Sequence, residues 1–338
     1  MNSTDSSSAA ATDPPSVRRI VDGPIIDPGS HPSIGDNIQG PSVVEMPAWA
    51  TGRLGRFHCW FADHKGRYIR LAHADHVTGP WIVHPAGSLR LEDSLFPTEP
   101  PHVDPAQLAA AERFYSRSVG PIMLPLIDEI SSPHIASPDV HVDHDRQRFV
   151  MYFHGLADVG TQVTRMAVSV DGARFTAHRP TIDRTYLRVF CIGDDTYGMA
   201  MPGQLYRFPH GLGSSLDSVE IGPVLFEPTM RHLAVQVRPG HLRVFWTRVG
   251  DAPERILMST IDTTAHWTRW RQSDPVEILR PEHAWEGADA PVEPSLRSSA
   301  VGVLNQLRDP AVLEVDGRTY LFHAVGGEAG IGVVELVD

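Results

Sequence analysis

Hydrophobic and polar residues alternate in short runs along most of the chain, and turn-forming residues separate these runs. Runs such as "QRFVMYFHG" (147–155) and "HLRVFWTRVG" (241–250) place aromatic and aliphatic residues between polar turns, which is typical of β-strands. The 28 glycines and 29 prolines fall mostly between the runs. A helical pattern stands out only from Asp104 to Ser118, where Asp104 can cap the helix and Pro105 suits its first turn. The pattern predicts an all-β protein with a short helical insertion.

The strand-like runs recur in the same order five times. Each unit begins with a run that follows a polar turn, continues with a run containing aromatic residues, and ends with a third run. The five units begin with "NIQGPSVVEM", "HIASPDVHVD", "TYLRVFCIGD", "MRHLAVQVRPG" and "QLRDPAVLEVDG". One small sheet cannot bury both of its faces, so repeated sheets stack around an axis. The repeats predict a five-bladed β-propeller rather than a β-sandwich.

The predicted propeller is a single domain over residues 21–338, and the helical insertion lies between its first and second blades. Residues 1–20 are predicted to be a disordered tail, because the segment up to Pro15 is rich in Ser, Ala, Thr and Asp. In a propeller the first run of each unit lines the central channel, and its N-terminal end opens on the pocket face. The candidate functional residues are therefore those at the start of each unit.

The candidates near these positions are acidic, histidine, arginine and amide side chains. Carboxylates and histidines can transfer protons, and the catalytic candidates are Asp139, Asp309, Asp36 and His134. Three further histidines near these positions, His64, His154 and His232, are candidates for substrate binding. Arginine suits a bound carboxylate, and the arginines at inner-strand starts are Arg188, Arg231 and Arg308, with Gln39 as a further binding candidate. Two interpretations of the arginines stay open: they bind an anionic substrate, or they pair with Asp36, Asp139 and Asp309.

Several motifs resemble those of the five-bladed glycoside hydrolases of family 43 and the related families 32, 62, 68 and 117. These motifs are "SPDVHV" (137–142) with "RFVMYFHG", the blade-one run "NIQGPSVVEMP" with "TGPW" (78–81), and "LRDPAVLEVDGRTYLFHA" (307–324). The resemblance covers the chain from about residue 35. It implies a glycosidase with a terminal sugar in the axial pocket, and it implies that Asp139 tunes the pKa and position of the catalytic acid.

The chain departs from the family 43 pattern at two places. The family carries its base as an Asp-Pro pair in blade one, where this chain has Gly40 and Pro41, so Asp36 or Asp309 is expected to replace it. The third blade has Arg188 where an acidic residue is expected. Family 117, in which a histidine is thought to be the acid, implies a role of this kind for a residue such as His134.

The predicted function is hydrolysis of a terminal, anionic or neutral sugar by Asp carboxylates with His as acid or base. Two alternatives stay open: a metal- or His-assisted lyase, isomerase or tailoring enzyme, and a non-catalytic sugar-binding propeller. No cofactor is expected, with a divalent metal in the axial pocket as the alternative.

The long segment Trp285 to Pro310 offers Glu286, Asp289 and Glu293 as reserve acids. The charged turn around Glu254 is predicted to be a pocket rim or an ion-pair network.

Composition excludes some partners. The net charge of −12 comes without a basic stripe, so we expect no nucleic-acid partner, and no apolar run approaches the ~20 residues that span a bilayer. No secretory signal is recognised, so a cytoplasmic location is expected. Cys59 and Cys191, the two cysteines, are predicted to be buried free thiols. The expected partner is a small molecule or oligosaccharide, and the oligomeric state is left open.

Overall fold

The computed structural model describes residues 13–338 and confirms the predicted five-bladed β-propeller. Each blade is a four-stranded sheet whose neighbouring strands run antiparallel. Blade one contains β2 (Gln39–Glu45), β3 (Phe57–Ala62), β4 (Tyr68–Ala74) and β5 (Ile82–Arg90), and blade two contains β6 (Ile135–Asp143), β7 (Arg148–Asp158), β8 (Thr161–Ser169) and β9 (Thr176–Ile182). Blade three contains β10 (Arg188–Ile192), β11 (Asp195–Ala200), β12 (Gln204–Phe208) and β13 (Glu220–Val224), and blade four contains β14 (Met230–Arg238), β15 (His241–Arg248), β16 (Ile256–Asp262) and β17 (Val276–Leu279). Blade five contains β18 (Arg308–Val315), β19 (Arg318–Val325), β20 (Gly330–Val337) and β1 (Ser16–Arg19).

The two ends of the described chain close the propeller in blade five. Strand β1 pairs with β20, from Ser16 opposite Val337 to Arg19 opposite Val334. The prediction of a disordered tail up to residue 20 was therefore wrong for this strand, and residues 1–12 lie outside the described range. The reason is that the last repeat supplies only three strands, so the N-terminal segment adds the fourth.

Each repeat was predicted with three strands, and the structure adds a fourth at the outer edge of each blade. The outer strands have little hydrophobic alternation because solvent covers most of their residues, as in β13 and β17. Burial, rather than strand formation, produces the hydrophobic runs of the buried strands, so exposed edge strands leave a weak sequence signal.

The hydrophobic core consists of five layers, one between each pair of neighbouring blades. The layer between blades one and two packs Trp60, Phe149 and Phe153, and the layer between blades three and four packs Met199, Trp246 and Trp267. The other three layers join blades two and three, four and five, and five and one. This arrangement leaves the polar starts of the inner strands to face one another around the axis.

The helical insertion lies between blades one and two, as predicted. Helix α1 (Pro105–Phe114) begins at Asp104, whose side chain accepts the backbone N–H of Gln107 in a capping box. A π-helical turn (Tyr115–Val119) continues it, and helix α2 (Leu126–Ser131) follows. Short 3-10 turns occur at Pro28–Ser30, Leu91–Asp93, Leu216–Ser218, Trp267–Arg269 and Ala284–Glu286.

The inner strands share a backbone feature at their N-terminal ends. One residue in each blade has a positive φ angle there, and the five residues are Gly40, Ser137, Tyr186, His232 and Asp309. In blades one, two, four and five this residue lies in a register shift between the first two strands. Bulges of this kind redirect side chains and occur next to active sites. Four of the five are not glycine, which is uncommon at positive φ.

The two cysteines differ in environment. Cys59 is buried in β3 as predicted, and burial raises the pKa of its thiol. Cys191 is exposed, so the prediction of a buried thiol was wrong there: the last two residues of β10 leave the packed interior. Within residues 13–338 no helix has the length and apolar character needed to cross a bilayer.

Candidate active site

A cavity of about 600 Å³ opens at the N-terminal ends of the inner strands. We call it the upper cavity. Inner-strand starts form its floor, the helical insertion and the segment before blade five form its walls, and five of the predicted binding residues line it. Those five are Gln39, His64, His154, Arg231 and His232. The structure thus brings together a large part of the predicted set at one mouth of the channel.

Asp309 lies directly behind the floor of the upper cavity. It is 0% exposed, and its Oδ1 atom accepts a 2.8 Å hydrogen bond from the Tyr186 hydroxyl, which belongs to a cavity-lining residue. Its Oδ2 atom has no hydrogen-bond partner among the described residues. Burial raises the pKa of Asp309 to about 6, with the Glu328 carboxylate acting in the same direction. Asp309 is therefore a carboxyl group that keeps its proton at higher pH than an exposed aspartate does.

His232 completes the immediate surroundings of Asp309. Its Nε2 atom lies 3.8 Å from Asp309 Oδ1, and its Nδ1 atom lies 3.2 Å from Thr247 Oγ1. Burial, followed by the charge of Arg231, lowers the pKa of His232 well below its ordinary value. The imidazole is thus neutral at physiological pH and acts as a hydrogen-bonding group beside the carboxyl.

Four buried charged residues form an ion-pair network next to this site. Arg231 donates to Glu254 in a two-pronged pair with one distance of 2.8 Å, and Arg308 lies 3.3 Å from the same carboxylate. Arg308 also donates to Glu328 Oε1 at 2.9 Å. Although burial opposes ionisation of Glu254, the two arginines hold its pKa below its ordinary value. Blades four and five are joined through these pairs.

The network bears on the second interpretation of the arginines, which is that they form structural ion pairs. Arg231 and Arg308 pair with carboxylates, but with Glu254 and Glu328 rather than with the three aspartates that had been proposed. Glu254 therefore belongs to an ion-pair network, one of the two predictions for its turn. Arg188 instead donates to the Ser137 carbonyl and stacks on the Tyr186 ring, 4.0 Å from its centroid.

Asp139 does not lie at the pocket mouth, where the sequence had placed it. It lines a second cavity of about 390 Å³ around the other end of the channel, which we call the lower cavity. Its Oδ2 atom accepts from Val189 N and contacts His141 Nε2, both at 2.7 Å. Burial acts to raise its pKa, but His141, Arg188 and the Val189 N–H hold the pKa below its ordinary value. The bulge at Ser137 accounts for the change, because it turns the strand after residue 137.

Three histidines surround the blade-two side of the upper cavity. His64 contacts Glu328 Oε1 at 3.1 Å, while His154 lines the cavity and has no partner for its Nδ1 atom among the described residues. His134 is buried behind His154, with ring centroids 6.3 Å apart, and it does not line the cavity. Burial lowers the pKa of His134 to about 3 and that of His154 well below its ordinary value. His134 is thus placed as a packing residue rather than as an acid.

The surroundings of Gly40 explain why blade one lacks the aspartate base that the family 43 pattern carries there. A Cβ atom at Gly40 would lie 3.1 Å from the Ser137 Cα atom, and φ at Gly40 is +64°. A side chain at this position would press against blade two, so an aspartate would need the neighbouring strand to shift. Asp36, the proposed substitute, is exposed on a turn and does not line the upper cavity.

The reserve residues before blade five are also placed away from the cavity. Glu286 is buried, pairs with Arg19 at 3.0 Å, and accepts the backbone N–H of Glu282. Asp289 and Glu293 are exposed, and neither lines the upper cavity. Trp285 stacks against His283, also outside the cavity.

Sequence reasoning missed several residues that build the site. The missed residues include Tyr186, Glu328, Glu129 and Arg297. Signals existed for two of them: Tyr186 stands at a unit start, and Glu328 follows two glycines in "VGGEAG". Glu129 and Arg297 lie in segments between blades, where nothing in the repeat pattern indicates which way a side chain faces.

Metal ligation receives no geometric support from the part of the chain that the structure describes. Across residues 13–338, no three His, Cys, Asp or Glu side chains are arranged as a metal site. Asp309 and His232 take part in the hydrogen bonds given above, whereas Asp309 Oδ2 and His154 Nδ1 have no partner among the described residues.

Known proteins resemble this chain in sequence and in fold. The chain is 32% identical over 322 residues to an uncharacterized protein of Acanthamoeba polyphaga mimivirus, and the match covers 89% of this chain and 83% of that protein. No family model matches the chain. Solved structures with a similar fold include a family 43 β-xylosidase/α-arabinofuranosidase from a compost microbial metagenome, in complex with xylotriose (TM-score 0.55, 11% identity, 94% of each chain). Another is a family 43 enzyme from Xanthomonas citri (TM-score 0.54, 11% identity, 92% of this chain and 89% of that chain).

Proposed function

The chain belongs to the same protein family as the mimivirus protein and shares its five-bladed fold with family 43 glycoside hydrolases, and on this basis we propose that it hydrolyses a glycosidic bond of a terminal sugar in the upper cavity. The observation that carries the proposal is the buried Asp309 carboxyl, whose pKa of about 6 and hydrogen bond to Tyr186 link it to the cavity. Glycosidases need one carboxyl that stays protonated near neutral pH.

In the proposed reaction, Tyr186 contacts the substrate and Asp309 holds the proton. When Asp309 is protonated, its Oδ1–H donates to the Tyr186 oxygen across the 2.8 Å contact, which leaves the Tyr186 O–H free to donate to the leaving oxygen. As the bond between the anomeric carbon and the leaving oxygen breaks, the Tyr186 hydroxyl gives its proton to that oxygen and takes the Asp309 proton in its place. The leaving sugar departs as an alcohol, and Asp309 becomes a carboxylate. A water molecule bonds to the anomeric carbon and releases one proton, and Asp309 regains a proton from solvent through Tyr186.

Glu129 is the proposed acceptor of the proton from water. It is buried on α2, lines the upper cavity, and accepts a hydrogen bond from the Ser298 hydroxyl. Its Oε2 atom also lies 3.3 Å from Lys65 Nζ. These two contacts fix the carboxylate in the wall, whereas Asp183, the other cavity-lining carboxylate, is exposed. A positioned carboxylate that activates water is the second group of an inverting glycosidase.

The proposed sugar carries an acidic group. Arg297 lines the upper cavity, and its guanidinium donates to the Pro228 carbonyl. Among residues 13–338, no carboxylate lies within ion-pair distance of it. Burial and the neighbouring Arg231 lower the pKa of Arg297, which means that both disfavour the charged form of its guanidinium. A uronic acid or a sulfated sugar would supply the missing anion.

Activity measurements on charged and neutral glycosides test both parts of the proposal. We expect turnover of 4-nitrophenyl glycosides of glucuronic or galacturonic acid in preference to those of xylose or arabinofuranose. Arg297→Gln should lower kcat/KM for the acidic substrates by about 10- to 100-fold, the value of a charged hydrogen bond, and leave that preference reduced. The matched control is Arg113→Gln, which removes the same charge from an exposed residue outside the cavity lining.

Two outcomes would contradict the proposal at different levels. An equal effect of Arg297→Gln on acidic and neutral substrates would contradict the proposal of an anionic sugar but not the proposal of a hydrolase. Calorimetric binding of sugars with no product after prolonged incubation would favour a non-catalytic sugar-binding propeller, the alternative that the glycine at position 40 supports.

A further inference from the structure

The helical insertion presents an exposed aromatic edge to the upper cavity. Helix α1 buries none of its residues, although a helix on a protein surface normally buries an apolar stripe. Contact with the cavity comes at its C-terminal end and in the π-helical turn, where four residues line the wall: Phe114, Tyr115, Ser118 and Val119. The insertion therefore contributes to the cavity through one short segment.

Phe114 is the most exposed apolar residue of this segment. Its side chain is 58% exposed, and its ring meets that of Tyr115 edge to face, with centroids 5.8 Å apart. Burial, together with Glu129, raises the pKa of Tyr115 to about 12, so its hydroxyl stays protonated. An exposed ring beside a neutral phenol forms a surface that is apolar on one part and a hydrogen-bond donor on the other.

The backbone of this segment is unusual. The turn Tyr115–Val119 is π-helical, and Gly120 closes it by donating to the Tyr115 carbonyl at 2.8 Å. One additional residue per turn widens the helix, and turns of this type occur frequently at functional sites. The widened turn faces the cavity with Tyr115, Ser118 and Val119.

The aromatic edge is tied to the acid-binding side of the cavity. Ile122 forms a parallel β-bridge with Arg297, just after the π-helical turn. Glu129 then accepts from Ser298, the next residue after Arg297. Phe114 therefore belongs to the same wall as Arg297, whereas Tyr186 and His232 belong to the floor formed by the inner strands.

We propose that Phe114 and Tyr115 form a binding site for the leaving-group sugar of an oligosaccharide. The terminal sugar lies on the floor at Tyr186, and the apolar C–H face of the next sugar ring packs on Phe114 while Tyr115 donates to one of its hydroxyls. Aromatic rings with a nearby polar group are typical linings of such sites. This inference rests on the proposed function, because it assigns the second sugar of the same substrate.

The test compares two substrates that share the terminal sugar. A trisaccharide ending in glucuronic acid occupies both sites, whereas glucuronosyl fluoride has a leaving group too small to reach Phe114. In Phe114→Ala we expect the ratio of kcat/KM for the trisaccharide to that for the fluoride to fall about five- to tenfold. Phe114→Tyr keeps an aromatic ring and should keep the ratio near its wild-type value. The matched control is Ile127→Ala, since Ile127 is an exposed apolar residue of the insertion outside the cavity lining.

Calorimetry with the same trisaccharide separates this inference from the hydrolase proposal. If the protein turns over neither substrate but Phe114→Ala weakens trisaccharide binding about five- to tenfold, the hydrolase proposal fails and the sugar site stands. An unchanged ratio with turnover, or unchanged binding without it, would overturn the site. So would failure of the wild-type protein to bind the trisaccharide at all.

Discussion

Replacing Asp309 by asparagine is expected to lower kcat/KM for glycoside hydrolysis by about 10²- to 10⁴-fold, because the variant has no proton to pass through Tyr186. In the wild-type protein kcat/KM should decline as the pH rises above about 6, where Asp309 ionises. The residual activity of the variant should lack this decline. A residue that only supports the fold would change the activity without removing this pH dependence.

The same substitution should change the pH dependence of stability in a defined direction. Folding raises the pKa of Asp309 from 3.8 to about 6, so the native protein binds more protons than the unfolded chain between these values. The stability contribution of Asp309 therefore falls as the pH rises through this window, by about 3 kcal/mol in total. Asparagine does not titrate, so the free energy of unfolding of the variant, relative to wild type, should increase by about that amount from pH 3 to pH 8.

Asp143→Asn is the matched control for both measurements. Asp143 is also buried, but it pairs with Arg148 at 2.9 Å outside the upper cavity, and its pKa lies below its ordinary value. Its stabilising contribution is present above pH 3.8 and is lost as the pH falls, so the variant should lose stability, relative to wild type, as the pH rises. Activity within tenfold of wild type in Asp309→Asn, or a stability difference independent of pH, would contradict the role assigned to Asp309.

The largest effect on stability is expected from Glu254→Gln. This change leaves the buried guanidinium groups of Arg231 and Arg308 without the carboxylate that they share. Removal of one partner from a buried pair typically costs about 3–5 kcal/mol, because an uncompensated charge stays buried. Urea or thermal unfolding measures the loss. The contact between blades four and five loses its Arg308–Glu254 ion pair, whereas the backbone hydrogen bond from Leu307 N to the Glu254 carbonyl is kept.

An exposed ion pair provides the comparison. Glu92→Gln removes the partner of Arg67, and the two side chains are 55% and 50% exposed. Solvent and salt screen this pair, so its loss should cost at most about 1 kcal/mol. Equal destabilisation by the two substitutions would show that Glu254 is not the carboxylate that neutralises the buried arginines.

The order of the blades could be predicted from local pattern because each blade repeats the same local physics. In β7 and β15 both faces pack against neighbouring blades, so almost every residue is buried and a continuous run of apolar and aromatic residues identifies the strand. Helix α1 could be predicted because Asp104 and Gln107 form a capping box at its start, in which the side chain of each residue accepts the backbone N–H of the other. The starts of the five inner strands could be predicted because a polar turn precedes each of them. The exposed outer strands could not, since no buried face orders their side chains.

The geometry of the site depends on backbone bulges and long-range ion pairs, which the local hydrophobic pattern does not predict. At Ser137 and Asp309 the backbone adopts positive φ, and the resulting bulges decide which side chain faces the upper cavity and which faces the lower one. Asp139 is turned away for this reason. The ion pairs of Arg308 reach Glu254 and Glu328, 54 residues before it and 20 after it, and only the closed ring of blades brings these groups together.

By itself, the sequence determined the number of blades, the helical insertion and the short list of residues near the axis. Only the tertiary structure decided that Asp309 is the buried carboxyl with a raised pKa, that Gly40 has no room for a side chain, and that Arg231 and Arg308 are neutralised within the protein. The physical reason is range. Strand formation follows from neighbours within a few residues, whereas the protonation and charge of an axial side chain follow from groups that five separate blades bring to one place.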